Sequence, residues 1–408
     1  MSSTLKRLLQ IFAKIGATPD GGVCRLTGTP EDGGARVRLA AEIISRQLDL
    51  HVDPIGNMFG IAPLAPSSQE AVMVGSHLDS QPTGGRYDGV YGVLAGLLAV
   101  EAVAARAAAE PGKARRNLVV ANWTNEEGAR FQPSLTGSSV FAGTLALDAA
   151  LALADGAGVT LGEALAGIGY RGTGDLPLEV SRYVELHVEQ GPLLEEEGAE
   201  IGVVTGCWAA RKLSLVFLGE PSHTGPTRMA RRRDALRAAA RAIDLHHQLI
   251  EASGSGAHAS AARITVDPNS PNVTPSRVQV WFEFRHEDAA VALALGDAFL
   301  AEARAAIAPL GVDIEVAVDE QRGTATLDPH GAALTAAVAR ELELSSMEMK
   351  TIAGHDALAL NKRMPASLIF VPSRDGLSHN PAEFTDGASL EKGLAVLTEV
   401  LWRMVTEE

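Results

Sequence analysis

Short apolar runs, each breaking off at a polar cluster, constrain this chain more than any other feature. "AVMVG" (71–75), "RRNLVVANW" (115–123) and "RYVELHVE" (182–189) read as three strands, the first two apolar at consecutive positions. A strand can be apolar on both faces only where both are covered, as in a parallel sheet packed between helices. Between the first two runs lies "GVYGVLAGLLAVEAVAARA" (89–107), apolar on most faces and therefore expected as a deeply packed helix. The alternation predicts an α/β domain. Sites in such sheets gather where loops leave the strand ends. "SHLDSQPTGGRYDGVYG" (76–92) follows the first run directly and presents His77, Asp79 and Asp88. Glu126, Glu127 and His187 stand at or near comparable ends.

From about residue 212 the periodicity changes. "KLSLVFLGE" alternates, as does "RVQVWFEFRH", where Val278, Val280, Phe282 and Phe284 oppose Arg277, Gln279, Glu283 and Arg285. With helices expected at 229–251 and 287–308 and strands at "ARITVDP" and "VDIEVAVDE", the order β-α-β-β-α-β is that of a ferredoxin-like unit. The expected organisation is a catalytic domain over 1–208, an inserted domain over 209–325, and the remainder of the first domain over 326–408. That remainder carries a helix (331–343), the strand "ASLIFVPS" and a last helix (388–405). The Gly/Ser/Ala stretch 252–261 is expected to be a mobile loop.

Composition bounds the function. The 408 residues suffice for two domains of ~100–200 residues each. A net charge of −15 supplies no basic stripe for phosphates, which argues against a nucleic-acid partner. No charge-free apolar run of about eighteen residues suggests a membrane span. "MSSTLKRLLQIFAKIG" reads as an amphipathic helix, since Lys14 interrupts it and no cleavage site of small residues follows. Cys24 and Cys207, far apart in a long chain, fit a reducing compartment. The expectation is a cytoplasmic protein.

His77, Asp88, Glu126, Glu127, His187 and His379 each follow a strand-like segment or sit in a loop rich in Gly, Ser or Asn. Imidazoles and carboxylates without thiolates suit zinc, manganese, cobalt or nickel. Two ions roughly 3.5–4 Å apart need a bridging carboxylate and a few further ligands, leaving one carboxylate as a base. Any one of these residues taken alone more often caps a turn than binds an ion; six of them at sheet-end positions of one domain shift the balance.

"GSHLDSQPTGGRYDG", "NEEGARF", "GSSVFAG", "ELHVEQG", "SHTGPT", "RRRDAL", "NVTP", "AGHDA" and "FVPSRDGLSHNPAE" occur in that order over nearly the whole chain. In these motifs the sequence resembles the hydantoinase/carbamoylase amidases of the dimetal aminoacylase and carboxypeptidase superfamily. The resemblance implies a dimetal α/β catalytic domain with an inserted ferredoxin-like lid domain, and a homodimer. It makes His77 a ligand of one metal and Asp88 the bridge. Glu127 and His187 each complete a metal site, and His379 joins the metal bound by Glu127. Glu126 matches the general base. Asp79 matches a supporting position behind the ligands, where its carboxylate would hold the His77 ring. Gln190, His223, Asn272 and Arg285 match substrate contacts, with His223 aimed at the developing oxyanion. Gly354 lines the site through its backbone. Arg285 is the natural carboxylate partner because its planar fork binds both oxygens.

The implied activity is hydrolysis of an N-carbamoyl-L-amino acid to the amino acid, carbon dioxide and ammonia, using two divalent ions per subunit. Allantoate amidohydrolase and β-ureidopropionase activities need the same machinery, and a catalytically silent binding protein on this fold is a rival of another class. The partner expected is a small ureido or carbamoyl carboxylate. Departures from the family pattern fall at Thr224, Pro226 and Arg228 in "HTGPTRM". Arg228 with Arg231, Arg232 and Arg233 forms a basic patch expected at a helix start, and Trp208 has no counterpart in the pattern.

Overall fold

The computed structural model describes residues 3–407. Met1, Ser2 and Glu408 lie outside the described residues, so the expected amphipathic helix is described as Ser3–Phe12. Its buried Leu5, Leu8, Leu9 and Phe12 follow the spacing of one helical face. The chain divides into two compact units: one runs to Thr205 and resumes at Thr326, and the other is Gly206–Ala325.

The first unit is built on a mixed sheet. Its strands lie in the order Asp49–Val52, Met58–Ala62, Asn117–Trp123, Glu70–His77, Glu179–Val188, Ala366–Val371, Ile201–Cys207 and Ala325–Thr326, with Ser346–Thr351 also pairing Ile201–Cys207. The four from Asn117–Trp123 to Ala366–Val371 are mutually parallel. They are nearly continuous in burial, as strands covered on both faces must be. Parallel pairing brings their carboxyl ends to one edge. His77 sits opposite Trp123 in register, and His187 opposite Phe370. Helix Val90–Ala109 packs on three of these strands and on helix Gly387–Thr406. It is long and apolar enough to cross a membrane by length and composition, yet every residue from Val90 to Val100 is buried in the core.

The second unit has a four-stranded antiparallel sheet in the order Asp313–Arg322, Ala209–Leu218, Arg277–His286, His258–Asp267. Two helices, Ala235–Ser253 and Ala289–Ile307, pack on the face carrying Leu213, Leu215, Phe217, Val278, Val280, Phe282 and Phe284. The connectivity is ferredoxin-like. Two expectations are corrected. The stretch 252–261 is not all loop, because the strand begins at His258. The helix expected from 229 starts at Ala235, where the Asp234 carboxylate accepts from the amides of Leu236 and Arg237 and sets the boundary. The arginines 228 and 231–233 therefore precede that helix, with Arg233 paired to Glu220. Cys24 and Cys207 are both free thiols.

Candidate metal centre

Four parallel strand ends assemble the site. His77 is the last residue of its strand, and the loop that follows returns Asp88 just before helix Val90–Ala109. Gly89 between them has φ +65, and a Cβ there would lie 2.4 Å from His77 Cε1, so the position admits only glycine. Two residues past the end of the next strand, Asn125 stands in the left-handed region (φ 56), a conformation asparagine tolerates. Its amide donates to the oxygens of Phe131, Pro133 and Thr136, fixing the turn that presents Glu126 and Glu127. His187 comes from the third strand and His379 from the loop after the fourth.

Asp88 is the centre of the arrangement. Its Oδ1 lies 3.6 Å from His77 Nε2 and 3.1 Å from His187 Nε2. Its Oδ2 lies 3.2 Å from His379 Nε2, which is also 3.4 Å from Glu127 Oε2. Two ligand-type groups result, His77/Asp88/His187 and Asp88/Glu127/His379, sharing one carboxylate. Glu126 Oε2 stands 3.5 Å from His77 Nε2. Gln190 donates through Nε2 to Asp88 Oδ2 at 3.1 Å. Gly354 lies in the loop before the helix Asp356–Leu360, one residue from His355, whose ring packs 4.7 Å from that of His187.

The donor chemistry suits a cation. Nδ1 of His77 faces the main-chain oxygen of Asp79 (2.9 Å), and Nδ1 of His187 faces that of Val188 (2.8 Å). A ring nitrogen beside a carbonyl carries the proton, so each Nε2 presents a lone pair near Asp88, that of His187 also accepting the Gly89 amide N–H at 3.2 Å. A lone pair facing a carboxylate is repulsive unless a proton or a cation lies between them. Accordingly His187 and His379 are each pushed up to about 9: burial opposes the shift, and the bond to Asp88 overrides it. His77 is lowered to about 4 by burial, with Asp88 acting against that. Burial and then Asp88 raise Glu127 to about 8. Burial, followed by Asp356 and Glu127, holds Glu126 well above the usual carboxylate range. Bound cations reverse this push and return the carboxylates to their charged form.

The support behind the ligands departs from expectation at Asp79. The ring of His77 is held by the Asp79 main-chain oxygen, and the carboxylate is 3.8 Å from Nδ1. The carboxylate instead accepts the amide N–H of Glu126 (3.3 Å) and of Glu127 (3.2 Å) and the hydroxyl of Thr27. Asp79 thus ties the first strand end to the Glu126–Glu127 turn. Two further supports escaped the sequence reading. Glu383 accepts the amides of Tyr87 and Asp88 and the hydroxyl of Ser378, and Glu185 accepts from Ser76 Oγ and the amide of Ala357. Glu383 stands in the quoted "NPAE" and Glu185 in "ELHVEQG", but nothing local distinguishes a buried acceptor from a solvated carboxylate.

His223, Asn272 and Arg285 belong to the second unit. His223 pairs with Val273 in a two-residue ladder, and the amide of Thr224 donates to the Asn272 oxygen, so these two are neighbours. Both are exposed. Arg285 is half-buried on the sheet face opposite the helices, and its Nη2 donates to Glu283 Oε2 at 2.8 Å.

Comparison with known proteins identifies relatives of this arrangement. Residues 73–403 match the model of peptidase family M20/M25/M40. The chain is similar to an N-carbamoyl-L-amino-acid amidohydrolase of Rhizobium meliloti, at 37% identity over 92% of this chain and 89% of that one. It is also similar to an allantoate amidohydrolase of Bacillus subtilis, at 33% identity over 99% and 98% of the two. Among solved structures it resembles a hydantoinase/carbamoylase family amidase from Burkholderia vietnamiensis, with a TM-score of 0.91 and 38% identity over 99% and 97% of the chains.

Proposed function

Since the chain belongs to the peptidase family M20/M25/M40, in its hydantoinase/carbamoylase amidase branch, we propose that it hydrolyses the carbamoyl C–N bond of N-carbamoyl-L-amino acids. The observation that carries this reading is Asp88 shared between two His/carboxylate groups, with Glu126 beside them as an extra carboxylate. His77, Asp88 and His187 would hold one divalent ion, and Asp88, Glu127 and His379 the other. Zinc, manganese, cobalt and nickel suit such donors. Ions bound there supply Lewis-acid polarisation of the scissile carbonyl and lower the pKa of the attacking water.

The chain's own residues do the rest. Glu126 takes the proton of the attacking water and passes it to the leaving nitrogen. His223 donates to the oxyanion that forms on the ureido carbon. Arg285 receives the substrate carboxylate, with Gln190, Asn272 and the backbone at Gly354 orienting the remainder. The second unit acts as a lid that brings His223, Asn272 and Arg285 to the substrate, and the reading includes a homodimer. Ammonia release from N-carbamoyl-L-amino acids, allantoate and β-ureidopropionate tests the assignment. The highest kcat/KM is expected on a carbamoyl amino acid; allantoate ranking first would replace that reading with the allantoate one.

A further inference from the structure

Arg285 is not the sole arginine on its stretch of sheet. On the face opposite the helices, strands Arg277–His286 and Asp313–Arg322 flank strand Ala209–Leu218 from either side. Arg285 and Arg322 both lie opposite Ala210 in register, so the three form one row across the sheet. Directly paired residues project from the same face, and the two arginines stand two strand spacings apart, roughly 10 Å between backbones. Ala210 between them leaves the space above the sheet to the longer side chains. The row beside it is Glu283–Lys212–Glu320.

Charge and hydrogen bonding treat the two arginines differently. Arg285 is engaged by Glu283 at 2.8 Å, and the other oxygen of Glu283 is 4.0 Å from Lys212 Nζ. Glu283 therefore offsets one guanidinium, and an incoming carboxylate would meet a near-neutral pair. Arg322 changes the balance: Arg285, Arg322 and Glu283 together carry one net positive charge. Nε and Nη2 of Arg322 are buried and have no hydrogen-bond partner among the described residues. Buried guanidinium donors without acceptors are unfavourable, which calls for one. Nε and Nη2 form one edge of the guanidinium, whose parallel N–H bonds match the two oxygens of a carboxylate.

Resting on the amidase function proposed above, we infer that Arg322 is a specificity-determining residue that shares the substrate carboxylate with Arg285. The carboxylate sits on the Nε/Nη2 edge of Arg322, and Arg285, oriented by Glu283, closes from the other side of Ala210. A single carboxylate satisfies the one net charge.

The test compares N-carbamoyl-L-alanine with its neutral carboxamide in wild type, Arg322→Gln and Arg322→Lys, reading kcat and KM separately. Arg322→Gln is expected to raise KM for the acid about tenfold more than KM for the amide, as loss of a charge-assisted pair should. Arg322→Lys keeps the charge without the planar edge and is expected to recover only part of that selectivity. An equal change for acid and amide in both variants, or none, overturns the inference and leaves Arg322 a structural residue of the sheet. If Arg322→Gln does not fold, by its circular dichroism, Arg322→Lys decides by the same ratio. A wild type that releases ammonia from no carbamoyl or ureido carboxylate refutes the proposed function instead. Calorimetric titration with the same acid and amide then reads the carboxylate seat without turnover, and equal binding of the two by wild type overturns it.

Discussion

The carboxyl edge of the first unit and the open sheet face of the second both gather charged side chains, by opposite means. At the edge, His77 and His187 come from two strand ends and Asp88 from the loop before helix Val90–Ala109; all three are buried and each is tied to main-chain atoms or to a second carboxylate. On the sheet face, Glu283, Arg285, Glu320 and Arg322 are placed by alternation and register alone, on two strands that flank a third. The first arrangement has little room to relax, and its electrostatics are unfavourable without a cation. The second is adjustable and, with Lys212 beside these four, carries one net positive charge. Changes at the edge should therefore abolish chemistry, and changes on the sheet face should shift affinity.

The largest expected effect is that of metal removal. Chelation should abolish hydrolysis, and manganese, cobalt, nickel or zinc should restore it. Full turnover by protein whose metal content is nil by elemental analysis would end the dimetal reading. Next, Glu126→Gln should keep its metal and lose at least ~10²–10⁴-fold in kcat, the usual share of proton transfer. Glu127→Gln should chiefly lower metal content. Metal stoichiometry beside kinetics separates the two, and the reverse pattern would exchange their roles.

Asp79→Asn sharpens the comparison within the edge itself. One carboxylate aligns two consecutive amides there, and an amide side chain would turn a donor toward one of them. A fall in kcat of about 10–100-fold is expected, with KM little changed and metal retained. Loss of metal in place of kcat would mean that Asp79 acts through His77. The smallest effect belongs to the sheet face: Arg285→Lys should raise KM for a carboxylate substrate about tenfold while kcat holds within a few-fold. An equal rise for a neutral amide would make Arg285 structural.

Much of this molecule is written locally. Consecutive apolar positions specify the buried strands Glu70–His77 and Asn117–Trp123, and strict alternation specifies Arg277–His286, because side-chain direction along a strand depends only on the chain itself. The polar residues that interrupt those patterns at strand ends, His77, Glu126, Glu127 and His187, are legible for the same reason. What the sequence could not decide is which distant atoms meet. That Asp88 stands between His77, His187 and His379 follows from parallel pairing of four strands widely separated along the chain. That the Asp79 carboxylate turns to the amides of Glu126 and Glu127 and leaves the His77 ring to its own carbonyl depends on where the neighbouring strand ends. Glu383 and Arg322 look like solvated charges in sequence; loop packing gives Glu383 its amide donors, and strand register sets Arg322 across Ala210 from Arg285. Hydrophobic periodicity is a property of neighbouring residues. Register and the pairing of buried charges belong to the whole fold, and they decide which of the charged residues become a site.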